Sequence, residues 1–346
     1  MLSFAVVLSF LLPQEAPPER HAAPRGDVVV EKAPTAPPDP AKEAAAKGLV
    51  FLEKEGVAWT RKNTCASCHH VPMMLWAQRE VRQHGMSIHE EARDLAIAFA
   101  LKAPHAGFLG PLTREQFDQM SGPSLEVLYL TLGIGPASLP EPAATTLAEF
   151  KKHLLEKQAP DGSWVFTRKE KGKILPPIQD TDDVITMLGM LALSSGEPSS
   201  LDPQALKKSQ DQALSWLKAA TSEHHPQSTA LRLVIFQSCG MKERVEPLAT
   251  QLLREQREDG GWSQVEGFPS DALATGQALY ALAACGIPRK HEAIQRGRTY
   301  LARTQRDDGS WLVLSRIPTN KGKDAIPSYF GSAWAVLGLV QHLSRE

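Results

Sequence analysis

From Lys42 to the C-terminus the chain alternates two kinds of segment with helical spacing. One kind is amphipathic. Ala144 to Lys157 (ATTLAEFKKHLLEK) and His291 to Thr304 (HEAIQRGRTYLART) carry apolar residues at three- and four-residue steps with charge between them, which predicts helices that bury one stripe. The other kind is apolar almost all round: Asp182 to Leu193 (DDVITMLGMLAL), Pro226 to Phe236 (PQSTALRLVIF), Asp271 to Ala284 (DALATGQALYALAA) and Ser328 to Val340 (SYFGSAWAVLGLV). Such helices must be covered on every side. Gly196, Gly240 and Gly286 follow three of these apolar stretches and suit helix C-caps. The alternation predicts two concentric layers, with charged helices outside and apolar helices within.

The joint between the two kinds repeats. Gln158-Ala-Pro-Asp161-Gly162-Ser163-Trp164, Gln256-Arg-Glu-Asp259-Gly260-Gly261-Trp262 and Gln305-Arg-Asp-Asp308-Gly309-Ser310-Trp311 share the form Q-x-x-D-G-[SG]-W, and their starts lie 98 and 49 residues apart. Near residue 207, where this period calls for another copy, stands a helix, Lys207 to Ala220, with Trp216 but no Asp-Gly turn. Six units of about 49 residues fill the stretch from Lys42 to Glu346, so the expected fold is all-α, a ring of six helical hairpins. In each turn Asp and Gly make the reversal, Gly supplying a positive φ, while Gln and Trp are placed to tie one hairpin to the next.

Composition narrows the chemistry. With 38 Lys+Arg against 39 Asp+Glu the formal charge is −1, and no basic cluster is dense enough to hold a phosphate backbone, so nucleic acid is excluded as a partner. Four cysteines in 346 residues are too few for a disulfide scaffold. Leu2 to Leu12 (LSFAVVLSFLL) is too short to span a bilayer and fits the apolar part of a secretory leader. Residues 1–16 are expected to be a signal peptide or a short apolar leader, 17–41 a Pro/Ala-rich linker and 42–346 the folded ring. The expected location is outside the cytoplasm, periplasmic or otherwise extracytoplasmic.

The three turns, each between an outer and an inner helix, resemble the QW repeats of the squalene-hopene cyclase and oxidosqualene cyclase family, and more distantly the protein prenyltransferase β-subunits. The resemblance covers about residues 42–346 and implies a single (α/α)6 toroid. Squalene cyclases look like two such barrels with the active cavity between them, and this chain has residues for one. Asp180-Thr181-Asp182-Asp183, at the start of an inner helix, is similar to the D-x-D-D motif of class II terpene cyclases. That likeness implies Asp182 as the acid that protonates an alkene or epoxide, with Asp180 and Asp183 assisting. Such an acid must stay neutral in a dry cavity, beside neighbours that are ionised or hydrogen-bonded. From the residues alone the same run also reads as a helix cap, with Asp180 at the N-cap and Asp183 three residues on. Aromatic faces that would steady carbocations are few in a chain with 4 Tyr, 11 Phe and 7 Trp; the inner helices contribute Tyr129, Phe236, Tyr280, Tyr329, Phe330 and Trp334.

Another constellation stands apart from that resemblance. Cys65-Ala-Ser-Cys68-His69 is a C-x-x-C-H segment. In an exported protein this is the attachment signature of haem c: the thiols add to the porphyrin vinyl groups and His69 ligates the iron. Cys65, Cys68 and His69 or His70 also make a zinc set, and Cys65 with Cys68 alone would close a disulfide. By the repeat phase the motif lies in the turn of the first hairpin, flanked by Trp59 and Trp76, which either stack on a macrocycle or join the core. Cys239 and Cys285 read as buried, inert thiols, His224-His225 opens another inner helix, and Arg232 is an inner-layer charge that needs a partner. Two functions follow. One is an isoprenoid-cyclase-like isomerase or lyase holding a hydrophobic polyene in the toroid mouth, with a membrane surface as a further contact. The other is a haem c-bearing redox or binding protein, with a redox partner, that uses the toroid as a scaffold.

Overall fold

The computed structural model describes residues 39–63, 69–102, 106–107, 110–111, 125–135, 139, 141, 143–165, 181–194, 201–220, 226–316 and 324–343. Among them twelve helices follow one another: α1 (Pro40–Lys62), α2 (Val71–Gln83), α3 (Glu90–Lys102), α4 (Leu125–Ile134), α5 (Ala143–Glu156), α6 (Asp182–Ser194), α7 (Pro203–Ala219), α8 (Pro226–Ser238), α9 (Lys242–Arg254), α10 (Ala272–Ala284), α11 (Glu292–Thr304) and α12 (Ala325–Val340). Two short antiparallel pairs, Ala106–Gly107 with Gly110–Pro111 and Trp262–Ser263 with Ser270–Asp271, are the strands among these residues. Helix α1 starts two residues ahead of the expected boundary, because Asp39 accepts the Ala41 N–H at 3.1 Å and Pro40 suits the first turn.

The even-numbered helices close a ring in the order α2, α4, α6, α8, α10, α12 and back to α2. The odd-numbered ones lie outside: α1 on α2 and α12, α5 on α4 and α6, α7 on α6, α9 on α8, α11 on α10, and α3 against α1, α2 and α5. This is the two-layered toroid that the alternation of segments predicts. The α10–α12 seam is the closest, since Gly276 and Gly338 face each other across it and a Cβ on either would strike the opposite backbone. No helix among the described residues is long and apolar enough to cross a membrane.

The Q-x-x-D-G-[SG]-W turns act as rivets. Gln158, Gln256 and Gln305 each donate to the carbonyl of their own turn glycine at 2.9 Å, and to a carbonyl on the next outer helix: Ser209 of α7 at 2.9 Å, Ala293 of α11 at 2.7 Å and Ala44 of α1 at 2.8 Å. Each tryptophan indole donates back to the helix before it, to Leu154, Leu252 and Leu301 at 2.7, 2.7 and 2.8 Å. Their backbone N–H groups go to the inner helix that follows, onto the hydroxyls of Thr186, Thr275 and Ser332 at 3.0, 3.0 and 2.9 Å. The third rivet reaches α1 and so closes the ring. Asp39 adds a second clasp, accepting from Arg289 at 2.7 Å and from Arg298 of α11 at 2.6 Å.

One expectation is corrected here. Cys239 and Cys285 are free thiols, half-buried and not sealed in the core, because each follows the last turn of its inner helix. Burial still raises both thiol pKa values, that of Cys285 to about 12, which keeps them protonated and inert.

Candidate functional site

The interior of the ring is lined with aromatic rings. Tyr280 of α10 touches Trp76 of α2 with centroids 6.1 Å apart, and both touch Trp334 of α12, at 5.8 and 5.1 Å. Helices α2 and α10 flank α12, and two helices on either side of a third in a closed ring can meet only on its inner side. Tyr129 of α4 meets Phe330 of α12 in the same way across α2, at 6.0 Å. Four of the six inner helices therefore send aromatic side chains into the lumen. Trp76, Tyr129, Phe330 and Trp334 are fully buried there, and Tyr280 is partly buried.

Of the other two inner helices, α6 carries two carboxylates at its N-terminal rim and α8 carries the groups that hold one of them. Asp183 of α6 accepts Ser228 Oγ at 2.5 Å and Arg232 Nη2 at 3.0 Å, both from α8, and also the Thr181 hydroxyl. Arg232 in turn donates to the Leu217 carbonyl of α7 at 2.9 Å. Burial pushes the Asp183 carboxyl up, but the Ser228 and Thr181 hydroxyls and the Arg232 charge outweigh it and hold the group below the usual range, as an anion. The inner-layer charge of Arg232 thus has its partner. Asp182 is the first residue of α6 and half-buried, and its carbonyl accepts from Thr186, whose hydroxyl also receives the Trp164 N–H. Asp180 lies outside the described residues.

Asp271, the first residue of the apolar stretch Asp271 to Ala284, is a further carboxyl that the sequence did not single out. Asp271 stands four residues before Thr275, in the register that Asp182 holds relative to Thr186. It caps α10 by accepting the Ala274 N–H at 3.0 Å and takes Gln264 Nε2 at 3.0 Å. Burial drives its pKa up to about 6 against those hydrogen bonds. The signal was the spacing to the turn tryptophan's hydroxyl acceptor, visible once the repeat is aligned.

The histidines of the C-x-x-C-H segment occupy the same rim three helices away, at the α12–α2 seam. His70 lies nearly parallel between Trp59 and Tyr329, with centroids 4.3 and 4.1 Å away. His69 stands edge-on to Trp59 at 5.1 Å, and the two imidazoles meet through their Nδ1 atoms. Burial lowers the His69 pKa to about 4, and His70 is lowered further by burial and by His69 beside it, so both rings are neutral near pH 7. Cys65, Cys68 and the His224-His225 pair fall outside the described residues. Among the described residues no three His, Cys, Asp or Glu side chains gather to hold a metal.

Comparison with known proteins agrees with this architecture. A family model described as squalene-hopene cyclase N-terminal domain matches residues 202–305, from the cap of α7 to the third turn's glutamine. Among curated proteins none matches. The fold is similar to a variant of the type II terpene cyclase MstE from Scytonema in complex with merosterolic acid A as product, at 13% identity over 87% of this chain and 96% of that one, with a TM-score of 0.53. A complex of the same cyclase with geranylgeranyl dihydroxybenzoate as substrate gives 15% identity, 87% and 97% coverage and a TM-score of 0.50. A protein from Actinoplanes gives 16%, 87%, 99% and 0.51. The chain is therefore an all-α toroid of the terpene-cyclase type, and a type II cyclase of this fold is matched nearly end to end by one ring of this size.

Proposed function

We propose that this toroid is a terpene-cyclase-like enzyme that takes a hydrophobic, prenyl-type polyene into the ring and starts its cyclisation by proton transfer. The lumen carries the reading: aromatic rings from four helices converge inside a ring in which a fifth, α6, holds two adjacent carboxylates at the rim. Each aromatic face steadies a nearby cation by about 0.5–2 kcal/mol, so several along one wall would favour a positive charge migrating through a folded polyene. Within the D-x-D-D run Asp183 is committed as an anion to Arg232, and the reading gives Asp182 the proton-donor role that the likeness to class II cyclases implies. The Asp182 proton adds to the terminal alkene, whose π electrons form the new C–H bond. Further alkenes close onto the cation as carbon–carbon bonds, and loss of one proton to a base ends the sequence, giving an isomer of the substrate. Prenylated ligands in the structures of the similar cyclase support the ligand class.

The test is turnover of a geranylgeranyl-type polyene. Asp182→Asn should lose about a thousandfold in rate with melting temperature unchanged. A variant that keeps full turnover would sink the assignment.

A second reading keeps the C-x-x-C-H segment as the attachment site of covalent haem, in a protein exported by the Leu2–Leu12 leader. The observation in its favour is that His69, which follows the two thiols directly, is buried edge-on to Trp59 as a neutral imidazole able to ligate iron. With haem bound the protein would carry one electron at a time; zinc on Cys65, Cys68 and His70 is the rival occupant. A pyridine haemochrome spectrum and a zinc assay on protein from a haem c-competent host decide between them, and absence of covalent haem there ends the haem reading.

A further inference from the structure

The lumen holds hydrogen-bond donors that no described residue satisfies. The indole N–H groups of Trp76 and Trp334, the Gln277 Nε2 and the Arg79 Nε are buried without an acceptor. Trp76 and Trp334 are each 1% exposed and Gln277 is 2% exposed. The rings form one patch: the two indoles touch and Tyr280 touches both. By helix spacing Gln277 stands one turn before Tyr280 on α10, and Arg79, one turn after Trp76 on α2, is close enough for its charge to act on the Tyr280 hydroxyl. A buried donor left unpaired costs about 1–3 kcal/mol, so native folds keep few of them. Several on one wall, every one a donor, make a site for an acceptor.

The charges around the patch select the acceptor. Arg79 Nη2 is 3.1 Å from Glu80 Oε1, Gln341 donates to Glu80 Oε2 at 2.9 Å, and Arg79 Nη1 donates to the Leu132 carbonyl. Cation and anion cancel there, and an anionic ligand would meet Glu80. Tyr280 stays protonated, raised by burial first and by the Glu80 charge second. Tyr280 and Arg79 are the partly exposed members of the patch.

We infer that the α2–α10–α12 wall of the lumen binds a neutral carbonyl oxygen carried by the prenyl ligand. The inference rests on the lumen-binding reading above and adds the ligand's class, an isoprenoid bearing a ketone or ester. Helix α12, which supplies Trp334, lies directly across the ring from α6 and its Asp182.

Calorimetric titration with geranylgeranylacetone, squalene and geranylgeranoic acid tests it. The ketone should bind about tenfold more tightly than the hydrocarbon, and the acid no more tightly than the hydrocarbon. Gln277→Leu replaces the amide by an apolar side chain of similar volume and should weaken the ketone about three- to tenfold with squalene unchanged; Trp334→Phe removes the indole N–H together with some ring contact and should reduce the preference for ketone over squalene about threefold. Without ligand, Gln277→Leu should melt no lower than the parent, because it deletes an amide N–H that has no partner. Equal affinity for ketone and squalene, a preference that survives the double variant, tightest binding of the acid, or a strongly destabilised Gln277→Leu each overturn the carbonyl site while leaving the lumen reading intact. Failure of all three ligands to bind overturns both.

Discussion

Removing one member of a buried ion pair strands the other as an unsolvated charge, at a cost of about 3–5 kcal/mol. Asp183 and Arg232 are 5% and 4% exposed, so Asp183→Asn should destabilise by that order in urea unfolding. The double variant Asp183→Leu/Arg232→Met should recover most of the loss, since an apolar pair of similar volume leaves no orphan. Because the folded carboxyl sits below its ordinary value, its stabilisation is present above about pH 4 and is lost as pH falls through the folded value. Histidines act over a higher window. His69 and His342 are each lowered to about 4 by burial, so the unfolded chain binds their protons first and stability falls as pH drops from about 6.5 toward 4, by on the order of 3 kcal/mol per group. His342→Gln, which keeps a donor for the Leu279 carbonyl, should flatten that decline in urea midpoints measured between pH 7 and 4.5. At this scale Arg232 was legible as a charge in need of a partner. That the partner is Asp183 was not, because the two lie 49 residues apart and only the α6–α8 seam joins them.

At the scale of elements the turns are the most legible part of the chain, because their chemistry is local. Gly309 has φ +87°, and a Cβ there would strike the Lys47 carbonyl of α1; Gly240 has φ +70° with open space around it. Gly309→Ala should therefore cost well over the roughly 1 kcal/mol that strained backbone alone implies at Gly240→Ala, a difference that paired thermal melts would show. Helix type followed from periodicity in the same local way. Asp182 to Leu193 was expected as an inner helix and α6 runs Asp182–Ser194, one residue longer. The role of the Asp180–Asp183 run was less legible: capping, ion pairing and proton donation all call for a carboxylate at a helix start, and spacing does not separate them.

For the whole molecule, closure is what spacing could not supply. The 49-residue period counts hairpins, but the meeting of the last with the first depends on Gln305 reaching Ala44 and on Asp39 reaching Arg289 and Arg298. Asp39→Ala should speed amide exchange in α1 and α11 ahead of the other outer helices, with uniform exchange counting against a seam held by this clasp. The lumen was hidden for the same reason. An aromatic content of 6% looks too poor to steady a carbocation until ring closure brings Trp76, Tyr129, Tyr280, Phe330 and Trp334 together from sequence positions more than 250 residues apart. Whether that lumen performs proton-initiated cyclisation is tested most directly by turnover of a geranylgeranyl-type polyene in D2O, followed by mass spectrometry. The account predicts a cyclic isomer carrying one deuterium from the parent protein and none formed by Asp182→Asn; an unlabelled product, or no product from the parent, would contradict it.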